Sequence, residues 1–202
     1  MTSARSNARH CWVAVRAILL LTAVLGIVYP FAITIVGQVG FSAQANGSLV
    51  SENGTVIGSA LIGQSFTDSD GAPLPEWFQS RPSAAGAGYD AAASSGSNWG
   101  PENHDLISAI SERRSSIAAF EGASAESIPA DALTASASGL DPQISPAYAR
   151  LQVPRVAAAR GLSESQVHAL VESKLAARDL GYLGEPTVNV LQLNLALTHL
   201  GG

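Results

Sequence analysis

From Ala17 to Val39 the chain reads AILLLTAVLGIVYPFAITIVGQV, 23 residues without a charged side chain. As an α-helix this run covers roughly 34 Å, enough to cross a bilayer core of about 30 Å. A cleaved signal peptide is the main rival. It calls for a shorter apolar run, about 7 to 15 residues, and a small-x-small cleavage site. Ala43-Gln44-Ala45 offers such a site, but the run is too long. A buried core helix is the other rival. It fits poorly with a run that is apolar all round and begins so near the N-terminus. The expectation is a retained transmembrane helix at 17–39, a basic tail at 1–16 and one further domain at 40–202.

Charge orients this arrangement. Arg5, Arg9 and Arg16 precede the apolar run, and no acid occurs before Glu52. The other 8 basic residues and all 16 acids follow it. Basic flanks stay on the cytoplasmic side, which puts the N-terminus in the cytoplasm and residues 40–202 in the periplasm or outside the cell. Charged residues make up 13% of the whole chain, about half the share usual in a soluble domain. A domain with so acidic a balance argues against nucleic acid as a partner. Cys11 is the only cysteine and lies in the tail, so disulfide and thiolate chemistry are excluded from the exported part.

Within the apolar run, Thr22, Gly26, Pro30 and Thr34 recur at every fourth residue, with Gly37 nearby. Such a stripe of small groups lets a second helix approach closely, and Pro30 predicts a kink. Asn53-Gly54 between β-favouring runs predicts a hairpin, because both residues tolerate positive φ. A helix is predicted over Glu102 to Glu121, following Pro101 and ended by Gly122. Two shorter helices should follow, one stopping at Gly161 and one beginning at Ser163, where S-E-S-Q has capping-box form. The closing TVNVLQLNLAL places Val188, Val190, Leu191, Leu193, Leu195 and Leu197 in near alternation, which suits a final strand. The fold class expected is α+β: one N-terminal transmembrane helix and a single small exported domain of mixed helix and strand.

Motifs for chemistry are sparse. The one lysine, Lys174, lies outside any glycine-rich phosphate loop, and no G-x-S-x-G elbow occurs. His10, His104, His168 and His199 have no metal-ligand spacing, and no metal site is expected. Nothing in the sequence assembles a catalytic group. Ser94-Ser95-Gly96-Ser97-Asn98 precedes a helix and is distantly similar to the signature motif of ABC-type nucleotide-binding domains. A loop beyond the membrane, however, meets little ATP.

The order of segments is more specific. GSALIGQSF at 58–66 is followed by WFQSRPSAA at 77–85, YDAAASSGSNWGP at 89–101, TASASGLDPQISPAYARLQVPRVAAARGL at 134–162 and VNVLQLNLAL at 188–197. Together they resemble the C subunit of the bacterial Kdp potassium-transporting P-type ATPase over nearly the whole chain. The resemblance implies a non-catalytic, single-span subunit of a high-affinity potassium uptake pump in the cell (inner) membrane. It implies two protein partners besides the lipid bilayer: a channel-like subunit that carries the ion and a P-type ATPase subunit that hydrolyses ATP. It also implies a role in assembly, and as a catalytic chaperone that raises the ATP affinity of the P-type subunit. ATP and potassium would then belong to the complex. The alternatives are an accessory subunit that shares ATP with the P-type subunit, and an unrelated membrane-anchored envelope enzyme or adhesin. Two residues depart from the family's loop, Ser95 where glycine is common and Trp99 where leucine is.

Residues 78–101 look like a flexible linker by composition, yet the run holds Arg81, Tyr89, Asp90, Ser97, Asn98 and Trp99 at intervals. The reading is an ordered loop whose small residues pack closely and whose larger side chains make a few fixed contacts, within the domain or with a partner. Arg81 suits a forked bond to a carboxylate or carbonyls, and Trp99 offers a large apolar body.

Overall fold

The computed structural model describes residues 2–200. Met1, Gly201 and Gly202 lie outside the described residues, as do the side chains of residues 2–6, including that of Arg5. The chain divides into two compact units, Met1–Leu49 and Val50–Gly202.

The first unit is helical. α1 (Thr2–Ala23) passes through a π turn (Val24–Val28) into α2 (Tyr29–Gly40). The segment Asn7–Gly40 is long and apolar enough to cross a membrane. Pro30 accounts for the π turn. It has no N–H for the carbonyl four residues back, and its ring crowds that carbonyl. The chain accommodates this with a wider turn, in which the Tyr29 N–H reaches the Val24 carbonyl. A π turn takes more residues per revolution than an α turn. Four-residue steps through it therefore rotate back against the drift of the Thr22–Gly26–Pro30–Thr34 stripe and straighten it. The Thr34 hydroxyl donates to the Pro30 carbonyl at 2.8 Å, so its proton is used within its own helix. A short α3 (Ser42–Ala45) follows, and its Ala45 lies against Gly37, where an added Cβ would be 3.6 Å away.

The second unit is mixed, as expected. β1 (Leu49–Glu52) and β2 (Thr55–Ser59) form a two-stranded sheet. Its turn has Asn53 at φ +50° and Gly54 at +81°, the left-handed pair that a two-residue hairpin requires. α4 (His104–Glu121) begins where the Asn103 side chain accepts from the Asp105 and Leu106 amides. It ends at Gly122, in the left-handed region. Then come α5 (Ala130–Leu133), β3 (Gln143–Ile144), α6 (Pro146–Leu151) and α7 (Val153–Arg160). α7 stops at Gly161, and α8 (Glu164–Ser173) opens with the full capping box of Ser163 and Gln166. β4 (Leu175–Ala176) and β5 (Thr187–Asn189) precede α9 (Val190–Thr198). β5 is the centre of a three-stranded sheet, antiparallel to β3 and to β4.

The final strand is corrected by this structure. Only Thr187–Asn189 is strand, and Val190–Thr198 is helix. Asn189 makes the switch, because its side chain caps the Gln192 amide at 3.1 Å. Leu191, Leu193, Leu195 and Leu197 alternate, but Val190, Leu193 and Leu197 recur at helical spacing, and these three are buried. With Phe78, Ile144, Tyr148, Val156, Val167, Val171 and Val188 they form one core. Burying each such side chain contributes about 1.5–3 kcal/mol before ordering costs.

Candidate functional site

The run from Phe78 to Pro101 is held to the second unit along most of its length. At its start, Phe78 is 0% exposed and bonded to Asn194 of α9. The Asn194 amide accepts from the Phe78 N–H and donates to the Phe78 carbonyl, both at 2.9 Å. One residue on, the Gln152 amide does the same for Gln79, accepting at 2.6 Å and donating at 3.2 Å. Two side-chain amides thus satisfy four backbone groups at the edge of the core.

Arg81 comes next. Its Nη1 lies 2.9 Å from the Asp141 carboxylate and its Nη2 3.4 Å from the Thr134 carbonyl. The guanidinium thus divides between a carboxylate and a backbone carbonyl of its own chain. The Tyr89 hydroxyl donates to the Arg81 carbonyl at 2.8 Å, and the Tyr89 amide donates to the Ser83 hydroxyl at 2.8 Å. Desolvation by burial, against a weaker opposing hydrogen bond from Ser80, pushes the Tyr89 hydroxyl up to about 12. It stays protonated at neutral pH and remains a donor. Tyr89 has φ +56°, a strained conformation held by these two bonds. Asp90 is exposed and caps a short 3-10 turn, Ala91–Ala93, by accepting from the Ala92 amide.

The start of the Ser94–Asn98 stretch is bonded to the segment around Ser138. The Ser95 amide and the Ser94 hydroxyl both donate to the Ser138 carbonyl, at 3.0 and 2.9 Å, and the Ser95 hydroxyl donates to Gly96. A phosphate cradled there would have to displace those bonds. Gly96 packs so closely on the Ala137 carbonyl that an added Cβ would lie 2.7 Å from its oxygen. Ser97 is half-buried, and exposed Asn98 turns the chain at φ +54°. Trp99 follows, 38% exposed, four residues before the Asn103 cap of α4.

The opposing segment is held as closely. Gly139 has φ +69°, and an added Cβ would meet the Ser95 carbonyl oxygen at 2.6 Å and the Ala85 nitrogen at 2.7 Å. Gly139→Ala is expected to cost about 2–4 kcal/mol, from the left-handed backbone and from overpacking. Limited proteolysis within residues 84–98 checks this. The variant should be cut there well before the rest of the unit, and equal cutting rates would refute the packing argument.

Sequence reasoning missed Asn194, Gln152, Asp141 and Arg155, the residues that hold the loop. One signal was available. Asn194 interrupts an apolar run, and a polar group there needs a partner. The histidines are exposed, and among the described residues no group of three or more metal-binding side chains comes together.

The chain thus combines an N-terminal helix long and apolar enough to span a membrane with a small α+β unit that carries a stapled loop. Residues 11–199 match the family described as KdpC, the K+-transporting ATPase c chain. A potassium-transporting ATPase KdpC subunit from Kineococcus radiotolerans is 56% identical over 180 residues, 89% of this chain and 88% of that one. The KdpC subunit from Mycobacterium tuberculosis is 52% identical over 188 residues, 93% and 96% of the two chains. That from Caulobacter vibrioides is 54% identical over 179 residues, 88% and 87%. The chain belongs to the KdpC family.

Proposed function

We propose that this chain is the non-catalytic, single-span subunit of an ATP-driven potassium uptake complex in the cell membrane. Its N-terminus is cytoplasmic and its second unit lies in the periplasm or outside the cell, as the three arginines before the helix and the acidic balance after it favour. It assembles with a channel-like potassium-translocating subunit and a P-type ATPase subunit, and acts as a catalytic chaperone that raises the latter's ATP affinity. ATP and potassium are bound by the complex. The names of the relatives support the complex, and the stripe of Thr22, Gly26, Pro30 and Thr34 supports packing of the anchor against another helix.

The observation that carries docking is the contrast along the loop. Its base is fixed by Asn194, Gln152 and Asp141, while Trp99 remains 38% exposed. A rigid loop that presents an aromatic loses little entropy on association, and tryptophan is among the residues enriched at binding hot spots. Trp99→Ala should lower the unfolding midpoint but leave the unit folded, since Trp99 lies outside the buried core. It should lower recovery of the P-type and channel-like partners by about tenfold or more when this chain is affinity-purified in mild detergent from potassium-starved cells. Normal recovery and normal transport by that variant would remove Trp99 from the interface.

A further inference from the structure

A cleft of about 390 Å³ opens between the loop, the turn at residues 65–73 and α4. Arg81, Arg113, Tyr89 and Tyr148 line it, with Phe66 and Ile117 supplying apolar wall. Its two guanidiniums converge on the end of α5. Arg113 donates to the Leu133 carbonyl at 2.9 Å, and Arg81 reaches the next one, Thr134.

The donors here outnumber the acceptors. Arg113 has no carboxylate within ion-pair distance among the described residues. Arg81 keeps a buried Nε without a hydrogen-bond partner. Tyr148 is 3% exposed, and its hydroxyl makes no hydrogen bond among the described residues. Burial, with the charge of Glu121 adding to it, raises the Tyr148 pKa and keeps the phenol a donor.

The nearby carboxylates already have partners, Asp141 in the cleft's own Arg81 and the others outside it. Asp141 pairs with Arg81 and Glu121 with Arg155. Asp131 accepts from the Ser145 amide and hydroxyl at 2.7 and 2.8 Å. Asp68 accepts from the Asp70 and Ala72 amides. A buried donor without an acceptor is costly, as Arg81 Nε is here, while the Tyr148 hydroxyl is open to the cleft, and a guanidinium fork fits a group with two or more oxygens.

We propose that this cleft is an oxyanion site, in which Arg113 and the Tyr148 hydroxyl hold a carboxylate or phosphate group whose apolar body rests on Phe66 and Ile117. The oxyanion has two possible sources, a free small molecule or an acidic side chain of a neighbouring subunit. Their chemistry at the cleft is the same.

The test is calorimetric titration of the full-length chain in neutral detergent with sodium benzoate and, separately, inorganic phosphate, against sodium chloride at matched ionic strength. Saturable binding of at least one anion is expected, weakened roughly tenfold or more by Arg113→Gln and by Tyr148→Phe. Tyr148→Phe keeps the ring in the core, so it decides the matter if Arg113→Gln folds poorly. The assembled complex then separates the sources. Binding that persists there marks a free ligand. Binding lost there, together with lower recovery of the complex carrying Tyr148→Phe, marks a neighbour's carboxylate. The site is refuted if neither anion binds beyond the chloride control, or if both variants bind as the parent does.

Discussion

Asn194→Ala should be among the most destabilising single changes in the second unit, at about 3–5 kcal/mol. Asn194 is 1% exposed, and its amide is the partner of both backbone groups of Phe78, itself 0% exposed. Removing the amide leaves a buried N–H and a buried carbonyl unsatisfied, at roughly 1–3 kcal/mol each. Against a total stability of about 5–15 kcal/mol this is a large fraction. In denaturant unfolding the midpoint should fall while the slope stays constant. Asn194→Asp gives the sharper reading. It keeps an acceptor for the Phe78 N–H but loses the donor to the Phe78 carbonyl and buries a charge. Burial would raise the folded pKa of that carboxyl above its unfolded value. The folded variant then holds a proton that the unfolded chain has released, so stability is lost as pH rises between the two values. The Asp variant should be nearer the parent in acid than at neutral pH. Parent-like stability of Asn194→Leu would show that the amide does not hold Phe78.

How much of this was legible in the sequence depends on the reach of each signal. The apolar run, the Asn53-Gly54 turn, the Gly122 and Gly161 helix ends and the Ser163 capping box are local, and each appears where the sequence places it. In each case the responsible group lies within a few residues of its effect. The run at 188–197 is also local but supports two periods. Its leucines suit a strand or a helix, and the Asn189 cap decided between them. The fixed path of the loop has another origin. Asn194 holds Phe78 across 116 residues, and Gln152 holds Gln79 across 73. No spacing rule connects such positions before the chain is folded. The Ala-, Gly- and Ser-rich composition around Arg81 reads as a tether because small residues serve close packing and flexibility alike. Gly139 and Gly96 are small here because backbone lies against them.

Arg155→Met should cost about 3–5 kcal/mol, the range for breaking a buried ion pair from one side. The Arg155 side chain is 7% exposed and that of its partner Glu121 1%, with Nε and Oε2 2.8 Å apart. The same guanidinium donates to the Pro75 and Trp77 carbonyls and to the Gln152 amide oxygen, and stacks on the Phe120 ring at 4.5 Å. Arg155 therefore links the end of α4, the 75–77 segment and the amide that holds Gln79. Glu121 Oε1 has no hydrogen-bond partner. Burial raises the Glu121 pKa more than the Arg155 hydrogen bond and charge lower it. Because the folded carboxyl holds its proton to higher pH than the unfolded one, its contribution to stability declines as pH rises from the ordinary carboxylate range to the raised value. Removing Arg155 raises that value further, so the window should extend upward and Arg155→Met should lose more stability between pH 5 and pH 8 than the parent. Adding Glu121→Gln removes the titrating group. The double variant should lie above the single one at pH 8, with its pH dependence flattened, a non-additivity expected of partners in contact. Denaturant unfolding at the two pH values measures all three chains. Arg155→Met as stable as the parent, or a double variant no more stable than the single one at pH 8, would mean that the pair does not hold the base of the loop.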